Sequence, residues 1–235
     1  MRPLIIKPGT ASEGLRAQRQ DYDRFFADGL GWPMSRFEVL DATTDPTFPD
    51  PRGVDGVFIT GSPMSVHDHH PWSVRLGEWL AAAIEAGVPV LGVCYGHQLV
   101  GDIFGGEVGL NPRGREIGVI EVEVVEDPLF AGLPPRFPVF LTHCDAVNVA
   151  PPNARVLGRT TQTPVAAMAI GPRCRTLQWH PEFDAHILRH IIRERTPLID
   201  AEREPGAAAR ILEGVVGLHT GPIILRNFVE HYLRG

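Results

Sequence analysis

The chain has 235 residues, of which 43% are apolar and 21% charged, and a net charge of −6 at pH 7. That length supports one sizeable hydrophobic core, so residues 1–235 read as a single domain, while the acidic balance argues against nucleic acid or an anionic membrane as partner. No apolar run approaches the roughly 18 residues of a membrane span. Three cysteines and no secretory leader point to a reducing, cytoplasmic setting.

The elements alternate along the chain. Residues 3–7 read as a strand, and 15–30 as one helix with Phe25 and Phe26 facing inward. Further strands are expected at 37–40 and 57–60, then a helix over 74–86, rich in alanine and leucine. The apolar stretch 88–91 reads as a strand, 92–98 as a glycine-flanked turn and 99–104 as a helix. Strict alternation over 118–125 predicts a half-exposed antiparallel strand. Short strands follow at 139–141, 156–158, 166–170 and 174–178. The last fifty residues carry helical signals at 185–194, 207–216 and 222–233, with Pro197 and Pro205-Gly206 between them. These helices, about 184–235, are expected to pack over the sheet edge. Strand and helix in this rhythm predict an α/β fold of three layers, α/β/α, around a mixed, mostly parallel sheet. Its site is expected at the C-terminal ends of the strands.

The chemistry concentrates at Cys94, in the run Gly92-Val93-Cys94-Tyr95-Gly96-His97-Gln98. A cysteine between a strand and a helix sits on a sharp turn, where flanking glycines avoid clashes with both elements. The helix N-terminus aimed at the sulfur favours thiolate over thiol. A base is supplied by Gln178-Trp179-His180-Pro181-Glu182. In an extended segment, positions two apart share a side. Glu182 then orients one imidazole nitrogen of His180 while the other faces the sulfur, the order an activated thiol requires.

Cys94 with His180-Pro181-Glu182 resembles the class I glutamine amidotransferases. Gly92-x-Cys94-x-Gly96-x-Gln98 is similar to the family's nucleophile signature, and Gln178–Glu182 to its histidine–glutamate segment. Ile59-Thr60-Gly61-Ser62-Pro63 resembles the family's oxyanion loop, and Thr142-His143-Cys144-Asp145-Ala146-Val147 a segment of the glutaminase domain of GMP synthetase. The resemblance implies a flavodoxin-like fold and hydrolysis of the glutamine side-chain amide through a γ-glutamyl thioester. It implies catalytic roles for Cys94, His180 and Glu182, and an oxyanion hole from the backbone N–H groups of Gly61 and Tyr95. It also implies contacts of Gln98, His143 and Asp145 with the bound amino acid.

No cofactor or metal is expected. The cluster His67-Asp68-His69-His70 reads as a solvated loop near the pocket mouth, because adjacent loop residues rarely converge on one ion. Cys144 reads as a buried neutral thiol, and Arg113 and Arg115 as flanks of a hairpin turn, well placed to meet an anion. No S-G-G-x-D-S or G-x-x-x-x-G-K-[ST] motif is present, so ATP-dependent activation of an acceptor falls to an unseen synthetase partner. Two alternatives remain at this level. One is a free-standing hydrolase of γ-glutamyl peptides and amides. The other is a catalytically silent binding or regulatory module.

Overall fold

The computed structural model describes residues 1–234. Its nine-stranded sheet runs in the order β2-β1-β3-β4-β11-β10-β9-β6-β7. The strands are β1 (Leu4–Lys7), β2 (Glu38–Asp41), β3 (Val57–Ile59), β4 (Val90–Val93), β6 (Glu116–Val124), β7 (Arg136–His143), β9 (Ala154–Arg159), β10 (Ala167–Ile170) and β11 (Cys174–Leu177). From β2 to β11 the neighbours pair in parallel. From β11 to β7 they pair antiparallel. β5 (Glu107–Leu110) and β8 (Asp145–Val149) form a separate two-stranded ribbon.

Alternation along the central strands builds the layers, because successive side chains point to opposite faces. Leu4, Ile6, Val57, Ile59 and Val90 pack with Leu76, Leu80 and Ala83 of α3 (Pro71–Glu85) and Leu99 of α4 (Tyr95–Ile103). Their neighbours Ile5, Phe58, Leu91 and Val93 face the other way, onto Phe26 of α2 (Tyr22–Leu30) and Ile224, Leu225 and Phe228 of α8 (Thr220–Phe228). A third cluster joins Leu15 of α1 (Glu13–Arg19), Phe25, Phe140 and Ile187, Leu188 and Ile191 of α5 (Ala185–Glu194). The three-layer α/β/α arrangement around a mixed sheet is as expected.

The departures have local causes. The expected single helix over 15–30 is two, α1 and α2. The chain turns at Gln20, whose φ is 65°, and Asp21 caps the second helix by accepting from the N–H groups of Ala11 and Tyr22 at 2.9 Å. Phe25 and Phe26 are both buried, but in different clusters. α4 begins at Tyr95 rather than Leu99, so most of the expected turn is already helix. Pro197 does not end a helix; it lies in the first turn of α6 (Thr196–Glu202), where its missing N–H is no loss. α7 (Ala207–Glu213) follows. α8 covers the middle of the sheet rather than its edge, and buried Asn227 ties it to the carbonyls of Leu129 and Ala131. The segment around Arg113 is a turn but no hairpin, since β5 pairs with β8 and β6 with β7.

A buried ionic knot secures the far side. Asp127, with a fully buried side chain, accepts from Arg175 at 3.1 Å, Arg155 at 2.5 Å, Tyr232 at 2.7 Å and the Leu129 N–H at 3.0 Å. Burial opposes ionisation of this carboxyl, but the bonds from Arg175, Leu129 and Tyr232 outweigh it and hold the pKa below the ordinary value. Removing one partner of such a group strands the others, at about 3–5 kcal/mol. Asp127→Ala is therefore expected to lower the unfolding free energy, read from urea denaturation, by that amount at pH 7. The difference from wild type should shrink as the pH falls below about 4, where a carboxylate of depressed pKa loses its contribution.

Candidate active site

Cys94 is the residue between β4 and α4, and it carries the strain of the join. Its φ is 51° and ψ −97°, a left-handed conformation that only a well-braced non-glycine residue holds. Its N–H donates to the Leu177 carbonyl at 2.8 Å, tying it to β11. The glycines around it are sterically required. A Cβ on Gly92 would lie 2.8 Å from the Gly96 carbonyl oxygen, and one on Gly96 2.9 Å from Ile59. His97, one turn into α4, bonds Thr176 at 2.8 Å and the Val165 carbonyl at 2.9 Å, clamping helix to sheet. Complete burial lowers its pKa to about 3, so it serves as a neutral brace. Sequence reasoning overlooked that brace, since a lone histidine on a helix carries no positional signal.

His180 and Glu182 meet beside this elbow. His180 Nδ1 lies 2.8 Å from Glu182 Oε1, with both side chains buried. The route differs from the expected extended one. β11 stops at Leu177, and His180-Pro181-Glu182 forms a turn in which the Phe183 N–H donates to the His180 carbonyl at 3.4 Å. The Phe183 ring then stacks on the imidazole, centroids 3.9 Å apart and 11° from parallel. His180 Nε2 and Glu182 Oε2 are buried without a hydrogen-bond partner. Burial works against the imidazolium, but the charges on Glu182 and the Cys94 sulfur outweigh it and raise His180 to about 10.

Gly61 closes the site from above. A Cβ there would sit 2.8 Å from His180 Cε1 and 3.5 Å from Cys94 Cβ, so only glycine lets the loop come this close. The Tyr95 N–H is the first of α4 and has no carbonyl a turn earlier in the helix to bond. Among the described residues neither it nor the Gly61 N–H donates to another group of the chain.

Cys94 lies where two depressions meet, and both are also bordered by Ser62, Pro63, Thr142 and Arg195. The larger, about 430 Å³, is walled by Gln98, His143 and Asp145. Gln98 Nε2 donates to the Asp145 carbonyl at 2.7 Å and to Gln178 Oε1 at 3.2 Å. The Asp145 carboxylate accepts from Ser65 at 2.6 Å. His143 differs from the expected direct contact with a bound amino acid. One ring nitrogen meets the Asp145 carbonyl at 2.8 Å and the other Glu116 at 3.3 Å, so the ring braces the wall. Glu116, absent from the sequence-level candidates, is buried beneath it. Burial opposes its ionisation, but bonds from His143, Thr160 and Thr163 hold its pKa low. The smaller depression, about 240 Å³, is walled by Tyr22, His180, Phe183 and Arg195.

The remaining candidates resolve simply. Arg115 is held by Glu202 in a bidentate pair at 2.8 and 3.0 Å, and Arg113 by the Thr161 carbonyl, so both arginines are used internally. Cys144 is half-buried rather than buried, and burial raises its pKa. His67 lies at the mouth beside Ser65, and the His70 ring stacks on Trp72. No helix of the described residues is long and apolar enough to cross a membrane.

Residues 35–194 match the family model for glutamine amidotransferase class-I. The chain belongs to that family. It is 48% identical over 128 residues to a glutamine-hydrolysing GMP synthase of Aeropyrum pernix, a match covering 54% of this chain and 24% of that one. The chain thus spans about a quarter of that relative's length. It is 30% identical over 177 residues to gamma-glutamyl peptidase 5 of Arabidopsis thaliana, covering 72% of this chain and 68% of that one. A glutamine amidotransferase from Thermotoga maritima shares the fold over the full length of both chains, with a TM-score of 0.77 at 19% identity.

The surroundings of the two buried thiols, Cys94 and Cys174, differ enough to rank them. Cys174 is fully buried and pushed up to about 12 by that burial, whereas Cys94 borders the cleft beside His180. Brief iodoacetamide treatment at pH 7, read by peptide mass, should therefore label Cys94 well before Cys174. His180→Gln should slow Cys94 labelling about tenfold or more. Labelling of Cys174 first would contradict this assignment of the microenvironments.

Proposed function

We propose that this chain hydrolyses the side-chain amide of glutamine through a γ-glutamyl thioester on Cys94, releasing ammonia for an acceptor provided by a partner protein. The observation that carries the reading is the buried His180–Glu182 pair beside a strained Cys94, facing two backbone N–H groups with no acceptor of their own. The Cys94 thiolate attacks the amide carbon, and the oxyanion is received by the N–H groups of Gly61 and Tyr95, each worth about 3–4 kcal/mol in comparable sites. The C–N bond breaks as His180 gives its Nε2 proton to the nitrogen, and ammonia leaves. Water then gives a proton to His180 while its oxygen attacks the thioester carbon. The C–S bond breaks, returning the thiolate and freeing glutamate. Glu182 holds the imidazole tautomer and stabilises its protonated form. Gln98 and Asp145 hold the α-ammonium of the substrate, and His143 keeps Asp145 in place.

Delivery of ammonia to a separate synthetase fits the shared stretch, which makes up only 24% of the A. pernix GMP synthase. The second reading, hydrolysis of γ-glutamyl peptides, draws on the Arabidopsis relative and on the depression beside His180. Both readings use one thioester.

Glutamate release from L-glutamine by the purified chain tests the proposal. Cys94→Ala is expected at background, and Glu182→Gln at about 10²–10⁴-fold lower kcat with the fold retained. Undiminished turnover in Cys94→Ser would sink the nucleophile, and equal release by wild type and Cys94→Ala would leave a silent binding module. The pH dependence of stability follows from the raised His180 pKa. The stabilisation that Glu182 supplies is complete below about 6.5 and lost as the pH rises through about 10. The thermal midpoint of Glu182→Gln should therefore fall furthest behind wild type near pH 6, where the imidazole is charged and carboxylates are ionised, and converge with it on the alkaline side.

A further inference from the structure

We infer that the depression on the His180 side of Cys94 is a leaving-group subsite for an amine that carries a carboxylate, with Arg195 as its specificity-determining cation. The inference rests on the thioester reading above and goes beyond it by naming the departing group.

Direction comes from the acid. The group that protonates the departing nitrogen stands on the side where the amine leaves. His180 borders only the smaller depression, whereas Gln98, His143 and Asp145 border only the larger. The γ-glutamyl head is thereby assigned to the larger side and the leaving group to the smaller. Size is the second consideration. Ammonia is comparable to water, whose share of liquid volume is about 30 Å³, and the depression holds about 240 Å³. That space takes a whole amino acid.

Charge supplies the specificity. Arg195 sits at the junction of α5 and α6, fixed by its N–H on the Ile191 carbonyl at 3.1 Å and its carbonyl on the Ile199 N–H at 2.9 Å. Its guanidinium donates to the Thr142 hydroxyl at 2.7 Å, and among the described residues no carboxylate pairs with it. The nearby acids have other partners. Glu194 is bonded to Ser12 and His190, and Glu202 to Arg115. A guanidinium offers five donors in a fork that matches a carboxylate, and one hydroxyl leaves most of them available. Tyr22 lies on the same wall, with no hydrogen bond from its hydroxyl to the described residues. Arg195 stands one residue past the stretch matched by the family model, where α5 gives way to α6.

The chemistry is unchanged in its balance. His180 gives its proton to the amide nitrogen of a γ-glutamyl amino acid, the C–N bond breaks, and the free α-amine departs in place of ammonia. Water then cleaves the same thioester.

The test compares kcat/KM for L-glutamine, L-γ-glutamyl-L-alanine and L-γ-glutamyl-L-alaninamide, the last two equal in size and differing in the carboxylate. Wild type should prefer the dipeptide acid to its amide by about ten- to a hundredfold. In Arg195→Met that ratio should collapse towards one, chiefly through KM, and Arg195→Lys should restore part of it. A wild-type ratio near one would overturn the proposal, and that measurement needs no variant to fold. Equal losses on all three substrates in Arg195→Met would also overturn it, placing Arg195 at the γ-glutamyl head. Hydrolysis of glutamine without hydrolysis of the dipeptide would remove the subsite and leave the thioester reading standing. Cleavage of none of the three would remove both.

Discussion

The turn at Cys94 is the constraint around which the site is organised. A residue at φ 51° between strand and helix costs about 1–3 kcal/mol. It persists because the structure around it leaves no alternative. β4 is paired on both sides, by β3 and β11, and the Cys94 N–H is bound to Leu177. α4 is pressed onto Ile59 through Gly96 and clamped by His97 to Thr176. The reward for that strain is orientation. The thiol is placed at the start of α4, on the same depression as His180 from the turn after β11.

Two buried histidine–carboxylate pairs lie close to this turn and behave differently. His143 spends both ring nitrogens inside the protein, on Asp145 and Glu116, and Glu116 is further bonded by Thr163. Such a fully satisfied network stiffens a wall. His180 uses only Nδ1, on Glu182, and leaves Nε2 buried without a partner. An unsatisfied buried nitrogen costs about 1–3 kcal/mol, and a stacked Phe183 ring holds it in position all the same. The free nitrogen is the geometric difference between the two pairs.

The fifty residues after Glu182 belong to the same construction. α8 supplies Ile224, Leu225 and Phe228 to the cluster beneath the sheet, and Tyr232 reaches the buried Asp127. α5 and α6 wall the cleft and place Arg195 beside Cys94. The cleft is therefore completed partly by α6, which lies beyond the shared family stretch.

The strand-to-helix turn at Cys94 was legible in the sequence because its requirements are local. Gly92, Cys94 and Gly96 are needed at fixed spacing by clashes within a few residues, and the strand alternation of Leu4–Ile6 and Val57–Ile59 states which faces are buried. His180 and Glu182 were legible for the same reason, two residues apart, although a turn rather than a strand brings them together. The break at Gln20, the early start of α4 and the central seat of α8 were not, since each depends on what packs against the segment. Only the tertiary structure decided that His143 is a brace, that Arg115 is spent on Glu202 while Arg195 meets the Thr142 hydroxyl, and that Cys94 stands between two depressions rather than at the end of one. Those outcomes turn on partners such as Glu116 and His143, 27 residues apart, and Arg115 and Glu202, 87 apart. A one-dimensional pattern carries no information about which of several like charges will meet its opposite.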